Sequence, residues 1–313
     1  MTNGKIAMNF QQLRIVRETV RQNFNLTEVA NALHTSQSGV SKHIKDLEDE
    51  LGIELFIRKG KRLLGMTEPG RELLKIVERL LLEAQNIRSL ADQYSQQDVG
   101  DLTIATTHTQ ARYILPGVVA RFRQRYPKVR LQLHQGSPAE IAQLLLEGRA
   151  DIGIATETLA SVEGLVSYPY HSWHHAVLVP QGHALAAEQP LTLEAIAREP
   201  IITYHDGFTG RTLLERTFAG ADLKPDIVLS ALDADVIKSY VELGMGVGII
   251  ATLAFNPERD QGLQLLDCSH LFPENVTRLA VREGQLLRQY AYDFIGLCSE
   301  RVQEQIHIFN QGS

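Results

Sequence analysis

LTEVANALHTSQSGVSKHIKDLEDELG, residues 26–52, carries two helical patterns separated by almost nothing. Leu26, Val29, Ala30 and Leu33 form the inner face of the first, Asn25 stands ahead of them as an N-cap, and His34 and Thr35 interrupt the period. Thr35 or Ser36 caps the second, whose apolar positions Val40, Ile44, Leu47 and Leu51 share one face. Upstream, Leu13, Val16, Val20 and Phe24 recur at steps of three and four and predict another helix. Three short helices with so tight a second turn predict a helix-turn-helix unit.

The polar side of the last helix is chemically specific. Ser36, Gln37, Ser38, Ser41, Lys42 and Lys45 lie at or near its N-terminal end, opposite or flanking the apolar stripe. Gln can pair bidentately with adenine, Ser can serve base or phosphate, Lys neutralises phosphates, and the helix N-terminus favours an anion. Downstream, FIRKGKRLLGMT (56–67) reads as a short hairpin turning at Gly60, with Arg58, Lys59, Lys61 and Arg62 crowded at its tip. Any one of these residues alone would be an ordinary exposed side chain. Helix, tight turn, polar reading face and basic wing together predict a winged DNA-binding head over residues 1–66.

Residues 26–70 resemble the DNA-binding head of the LysR-type transcriptional regulators. The shared features are the hydroxyl-Gln-Ser opening of the recognition helix, the LEDELG close, the LF.R strand and the T..G start of the next helix. The resemblance begins near Met8, which leaves residues 1–7 as a loose extension or places the start of translation at Met8 itself. From Thr67 the chain continues as one long helical pattern, in which Leu73, Val77, Leu80, Ala84, Ile87 and Ala91 are spaced as the a/d seam of a coiled coil. Such a stripe needs a partner, either this chain's own C-terminal domain or a second copy. The resemblance implies the second: residues 67–98 as a dimerising linker, two heads on a pseudo-palindromic double-stranded DNA site, and dimers that pair into a homotetramer.

Charge agrees with this division. The chain of 313 residues has a net charge of -6, yet residues 1–66 hold ten Lys/Arg against seven Asp/Glu, or +3, which leaves -9 for the rest. A basic head on an acidic body fits a polyanionic partner at one end. The longest apolar run, LGMGVGIIATLAF (243–255), is too short to span a bilayer. MTNGKIAMNF lacks the pattern of an export signal, and Cys268 and Cys298 form no CxxC pair, so a cytoplasmic protein without disulfides is expected.

Residues 99–313 alternate strand and helix: DLTIAT, ILPGVVARFRQRYP, KVRLQLHQ, PAEIAQLLLEG, DIGIAT, HAVLVP, PIITY, RTLLERTFAG, DIVLSA and DADVIKSYVELG. That rhythm predicts α/β units with parallel sheets, in two similar Rossmann-like subdomains: I at about 99–170 and 272–300, II at about 171–271. Ligands in such folds sit beyond the carboxyl ends of the strands. There the sequence packs TTHTQ, residues 106–110, so that Thr107, Thr109, Gln110 and free helix N–H groups can converge on one oxyanion. Thr156, Thr203 and Thr209 stand at or just beyond two further strand ends. A single Thr in such a turn is usually a local cap; three hydroxyl-rich junctions in one domain favour a ligand.

TTHTQARY, with HQGSP, GFTGR and DADVIKSYVELGMGVGIIA, is similar to the CysB and Cbl branch of the LysR-type regulators over nearly the whole chain, and GKRLLGMTEPG, DIGIA and WHH look closer to Cbl. The resemblance implies an effector domain like a periplasmic binding protein, with Thr107, Thr109, Gln110, Thr156 and Thr209 as oxyanion ligands and Trp173 as a wall of the cleft. It further implies an activator of sulfur-assimilation or sulfonate-utilisation genes, acting with RNA polymerase. Sulfate, adenosine phosphosulfate or acetylserine would be the small sulfur-pathway effector, an anionic sulfur metabolite in the first two cases.

Competing chemistry is weak. His171, His174 and His175, even with His108 or Cys268, match no zinc spacing, so they read as surface or cleft-lining residues and no metal is expected. GMGVG (244–248) follows a helix and reads as helix termination before a strand, so no nucleotide cofactor is expected. GxSxG, Walker A and SxxK motifs are absent. An enzyme of sulfur metabolism with a fused DNA-binding head is the alternative, and it would need a nucleophile or metal constellation in residues 101–313 that the sequence does not display.

Overall fold

The computed structural model describes residues 8–60, 62–94, 99–188, 190–208 and 210–311, and its contacts divide the chain into Met1–Ala91 and Asp92–Ser313. In the first unit, α1 (Phe10–Arg21) begins with a capping box between Asn9 and Gln12, α2 (Leu26–Ala32) is capped by Asn25, and α3 (Gln37–Leu51) is capped by Ser36, whose Oγ accepts from Gly39 N at 3.1 Å. The antiparallel pair β1 (Phe56–Lys59) and β2 (Arg62–Met66) forms the wing. Ile15, Val16, Val29, Val40, Ile44, Leu47, Leu55 and Phe56 are the core between them. Two expected core positions differ. Phe24 lies beyond the end of α1, in left-handed backbone at φ 63°, and sets its ring edge-on to Phe56. Leu51, in the last turn of α3, is 38% exposed.

The T..G motif is a structural joint. Thr67 Oγ1 donates to Glu54 O at 2.6 Å and accepts from Gly70 N at 3.1 Å, which starts α4 (Glu68–Tyr94) against the wing. A Cβ on residue 70 would lie 2.2 Å from Leu55 O, so the helix passes there only with glycine. The predicted seam on α4 requires correction. Val77 is buried with Leu81 against Leu13, and Leu73 packs on the same cluster, so the first part of the seam belongs to the head itself. Leu80 and Ile87 of the seam remain exposed, at 41% and 68%, and with Ile76 and Leu90 they form the uncovered apolar stripe. It keeps the heptad period and shares Leu80 and Ile87 with the expected seam, while α1 covers the side that carries Leu73 and Val77.

The second unit runs β3 (Gly100–Thr106), α5 (Leu115–Arg125), β4 (Val129–Gln135), α6 (Pro138–Leu146), β5 (Ile152–Ala155), β6 (Leu165–Trp173), β7 (His175–Pro180), α7 (Leu193–Ala197), β8 (Ile201–Tyr204), α8 (Arg211–Gly220), β9 (Ile227–Ala231), α9 (Ala234–Glu242), β10 (Val247–Ala251), β11 (Leu263–Asp267), β12 (Asn275–Arg282), α10 (Gln289–Cys298) and α11 (Glu300–Gln311). Two five-stranded sheets result, in the orders β4-β3-β5-β12-β6 and β11-β7-β10-β8-β9. The chain passes from one to the other at His174 and returns between Asp267 and Asn275.

Parallel sheets were expected, and both are mixed: β12 runs antiparallel to β5 and β6, and β7 antiparallel to β10 and β11. The two crossings account for this, since a strand arriving from the other subdomain needs no right-handed helical crossover. Strand β6 had no clear alternation in the sequence and contains Pro169, which its edge position tolerates. Gly244, at φ 72°, ends α9, and β10 follows, so GMGVG is a helix stop and a strand rather than a phosphate loop.

Candidate functional site

On α3 the apolar positions Val40, Ile44 and Leu47 are buried, while Ser36, Gln37, Ser38, Lys42 and Lys45 are exposed and Ser41 is half-buried. Ser36 is occupied as the N-cap, with its Oγ also 3.2 Å from Ser38 Oγ, so its first task is to start the helix. Lys59 and Arg62 face each other across the wing and are exposed; Lys61 lies outside the described residues. Arg58 differs from the reading of a free phosphate binder. Its Nη2 lies 2.6 Å from Glu48 Oε2, and Glu48 Oε1 accepts from Leu55 N at 2.8 Å and Phe56 N at 3.3 Å. Glu48 thus ties the recognition helix to the wing, a role hidden in a sequence where it reads as one acid in LEDELG.

At the carboxyl end of β3, the chain turns through a π-helical turn, Gln110–Ile114, before α5. A wide turn of this kind often marks a functional site, and Pro116 in the first turn of α5 supplies no N–H to continue a tighter one upstream. Thr107, Thr109, Gln110 and Thr156 are all at least nine-tenths buried. The bland reading for these threonines was helix capping. Neither the Thr109 nor the Thr156 side chain makes a cap bond; Thr109 Oγ1 has only the buried Tyr204 hydroxyl beside it, and Gln110 Oε1 is buried without a hydrogen-bond partner. Buried polar atoms are normally paired, so an unpaired one at a strand end makes this junction a candidate ligand site.

Thr203 is drawn out of this group, because its Oγ1 donates to Ile249 O at 2.9 Å between β8 and β10. Thr209 lies outside the described residues. Trp173 is 4% exposed, and its Nε1 donates to Thr277 Oγ1 at 3.1 Å; Gln110 Nε2 lies at the same distance from that oxygen. Thr277, on β12 and fully buried, was not visible in the sequence as a site residue, nor was Asn275, whose Oδ1 is buried and unpartnered.

A polar strap joins the two subdomains nearby. Tyr113 Oη donates to Asp235 Oδ1 at 2.7 Å, Arg112 Nε lies 3.2 Å from Asp235 Oδ2, and Lys238 Nζ lies 3.5 Å from Oδ1. Burial works to raise the Asp235 pKa, but Tyr113, Lys238 and Arg112 together outweigh it and hold the carboxyl below the usual range. With the folded value depressed, the strap's contribution is complete above about pH 4 and fades as pH falls through the folded value. Asp235→Asn is therefore expected to lower the stability of this unit by up to about 1 kcal/mol at pH 7, since the strap is partly exposed. The difference from wild type should shrink as the pH falls below about 4, in melts followed by circular dichroism; a difference independent of pH would assign the strap no electrostatic role.

His175 departs from the surface or cleft-lining reading. It is fully buried, between the Trp173 and Phe272 rings, with Nδ1 3.3 Å from Asn275 Nδ2. Burial pushes the Cys268 and Cys298 thiols up to about 12, so neither carries a thiolate near neutral pH. Among the described residues, His108, Asp233 and Asp235 bring three potential metal-binding atoms within 4.8 Å. Both Asp235 oxygens already meet cationic or hydroxyl donors and Asp233 caps α9, a poor setting for a cation.

No helix among the described residues is long and apolar enough to cross a membrane. Residues 10–71 match the bacterial regulatory helix-turn-helix protein of the lysR family, and residues 95–303 match the LysR substrate binding domain. The transcriptional regulator SsuR of Burkholderia cenocepacia is 57% identical over 297 residues, which cover 95% of this chain and 96% of SsuR. The transcriptional regulator Cbl of Escherichia coli is 56% identical, with 93% of this chain and 92% of Cbl covered. Among solved structures, the cofactor-binding domain of the Cbl regulator superposes with a TM-score of 0.63 at 50% identity, over 66% of this chain and 93% of that domain. The chain belongs to the LysR family of transcriptional regulators, in the sulfur-related group to which SsuR, Cbl and CysB belong.

Proposed function

We propose that this regulator activates sulfur-assimilation or sulfonate-utilisation genes in response to a small sulfur oxyanion bound between its two effector subdomains. The observation that carries the reading is the group of buried side chains at the ends of β3 and β5, Thr107, Thr109, Gln110 and Thr156, of which Thr109 and Thr156 make no cap bond. Neutral hydroxyl, amide and backbone donors suit an anion held without a lysine counter-charge. Thr209 and Trp173 complete the set by resemblance. Sulfate, adenosine phosphosulfate and acetylserine are the effectors to test, by titration calorimetry of the full chain. Thr107→Val should weaken the one that binds at least tenfold, the loss of one hydrogen bond to a charged group. Wild-type affinity in that variant would remove Thr107 from the cradle, and the absence of heat from both sulfate and adenosine phosphosulfate would remove the sulfur oxyanion from the reading.

At the other end, two heads joined through the exposed stripe of α4 would place two α3 helices in successive major grooves, on a pseudo-palindromic site. Gln37, Ser38 and Ser41 would meet base edges and phosphates there, and Lys42, Lys45, Lys59, Lys61 and Arg62 the phosphates. Gln37→Ala should relax base preference at one position per half-site by about 1–3 kcal/mol, without altering effector binding. An unchanged preference in selection from random sites would exclude Gln37 as a base reader. Pairing of dimers into a tetramer and contact with RNA polymerase belong to the same proposal.

A further inference from the structure

We infer that Thr277 is a positioning residue of the effector site: by accepting from Trp173 and donating to Gln110, it turns the Gln110 amide so that the NH2 group faces the bound oxyanion. The inference rests on the oxyanion reading of the cleft given above.

The argument is one of donors and acceptors. Three buried side chains meet at one hydroxyl oxygen: Trp173 Nε1 at 3.1 Å and the Gln110 amide at 3.1 Å from Thr277 Oγ1. The indole N–H can only donate, so Thr277 must accept from Trp173. A hydroxyl then has one hydrogen of its own to give. With Gln110 Nε2 turned toward it, Thr277 accepts twice, its hydrogen has no acceptor among the described residues, and Gln110 Oε1 is stranded in the interior without a donor. Two groups are then unmet, each costly where water is excluded.

The two ends of a Gln amide exchange by a 180° turn, and the surrounding network decides between them. The turned amide places Oε1 as the acceptor of the Thr277 hydrogen, so the chain of bonds runs in one direction from Trp173 through Thr277 to Gln110. The stranded atom is now an NH2, which lacks only an acceptor. An oxyanion supplies one; a ligand presenting N–H groups would not. Thr277 therefore selects for an acceptor-rich ligand without touching it.

The location gives the relay a second consequence. Trp173 ends β6, one residue before the chain crosses to the other subdomain, and Thr277 sits on β12 just after the return crossing, opposite His171 on β6. Gln110 opens the π-helical turn that carries Arg112 and Tyr113 to the inter-subdomain strap. One hydroxyl thus links the ligand-facing amide to both crossings.

Trp173 is the single tryptophan of the chain, so its emission reports this relay without labelling. The test titrates full-length wild type, Thr277→Val, Thr277→Ala and Thr277→Ser with sodium sulfate at ionic strength held constant by sodium chloride. Saturable change in wild type is expected, with Thr277→Ser within about threefold in Kd and Thr277→Val weaker by tenfold or more. Ligand-free Thr277→Val should emit further to the blue, because its indole N–H has lost its acceptor. If the valine variant does not fold, the smaller Thr277→Ala makes the same comparison. Wild-type affinity in the valine or alanine variant, beside a saturating wild type, overturns the role of Thr277 and leaves the oxyanion reading standing. A wild type with no specific response to sulfate, nor to adenosine phosphosulfate titrated in the same way, overturns the oxyanion reading and this inference with it.

Discussion

Glu48→Ala is expected to abolish DNA binding by releasing the wing from the recognition helix, while leaving the effector unit intact. The carboxylate accepts from the backbone N–H groups of Leu55 and Phe56, both fully buried residues, and meets Arg58 at 2.6 Å. Alanine strands two backbone donors, each worth about 1–3 kcal/mol, so a loss of about 3–5 kcal/mol follows. A small domain has roughly 5–15 kcal/mol in total, and its melting midpoint falls by about 4–8 °C per kcal/mol. The head's transition should therefore drop by at least about 12 °C. Glu48→Gln retains an acceptor for the two N–H groups and loses only the charge, so it should cost about 1 kcal/mol and free Arg58 for a phosphate. If the alanine variant melts and binds DNA like wild type, the wing is held by its core contacts alone.

The second large effect lies in the effector unit. Lys238 Nζ sits 3.1 and 3.2 Å from the Asp260 oxygens, both side chains are nearly buried at 9% and 11% exposure, and Asp260 Oδ2 also accepts from Asn256 N. Removing one partner of a buried pair leaves a charge without compensation, at a cost of about 3–5 kcal/mol. Asp260→Ala should fall near 3 kcal/mol, because Asp235 stands 3.5 Å from the same ammonium and takes part of the charge. In a domain of this size that is a drop of about 6–12 °C in melting temperature by scanning calorimetry. Lys238→Met combined with Asp260→Asn should recover most of the loss, since neither charge is then stranded. A double variant as unstable as Asp260→Ala would show that the ion pair does not carry the stability. Lys238 and Asp235 share α9, so Asp260→Ala should also loosen the strap to Tyr113 and speed amide exchange over residues 110–114.

How far the sequence reaches can be judged residue by residue. Asn25, Ser36 and Thr67 cap the helices whose starts they marked, because a cap is a contact within three residues and needs no knowledge of the fold. The stripe Val40, Ile44 and Leu47 is buried as its period required. The seam on α4 had the right period, and Leu80 and Ile87 are exposed on it, but Leu73 and Val77 are taken by the head: period is a property of the helix, while which part of a stripe is covered depends on where α1 lies. Arg58 read as a free cation because its partner is ten residues away across a turn. The sheets read as parallel because strand direction depends on where the chain crosses between subdomains, and periodicity says nothing of that.

The effector site divides along the same line. The residue types and the strand-to-helix junctions at Thr107–Gln110 and Thr156 were determined by the sequence alone, since strand, turn and polar cluster are all local. Only the tertiary structure decided that Thr203 is engaged by β10, that His175 is core, and that Gln110 and Trp173 meet at Thr277, which lies 167 and 104 residues away from them along the chain. Local spacing selects which side chains are available at each junction; hydrogen bonds between strands distant in the chain select which of them are left free for a ligand.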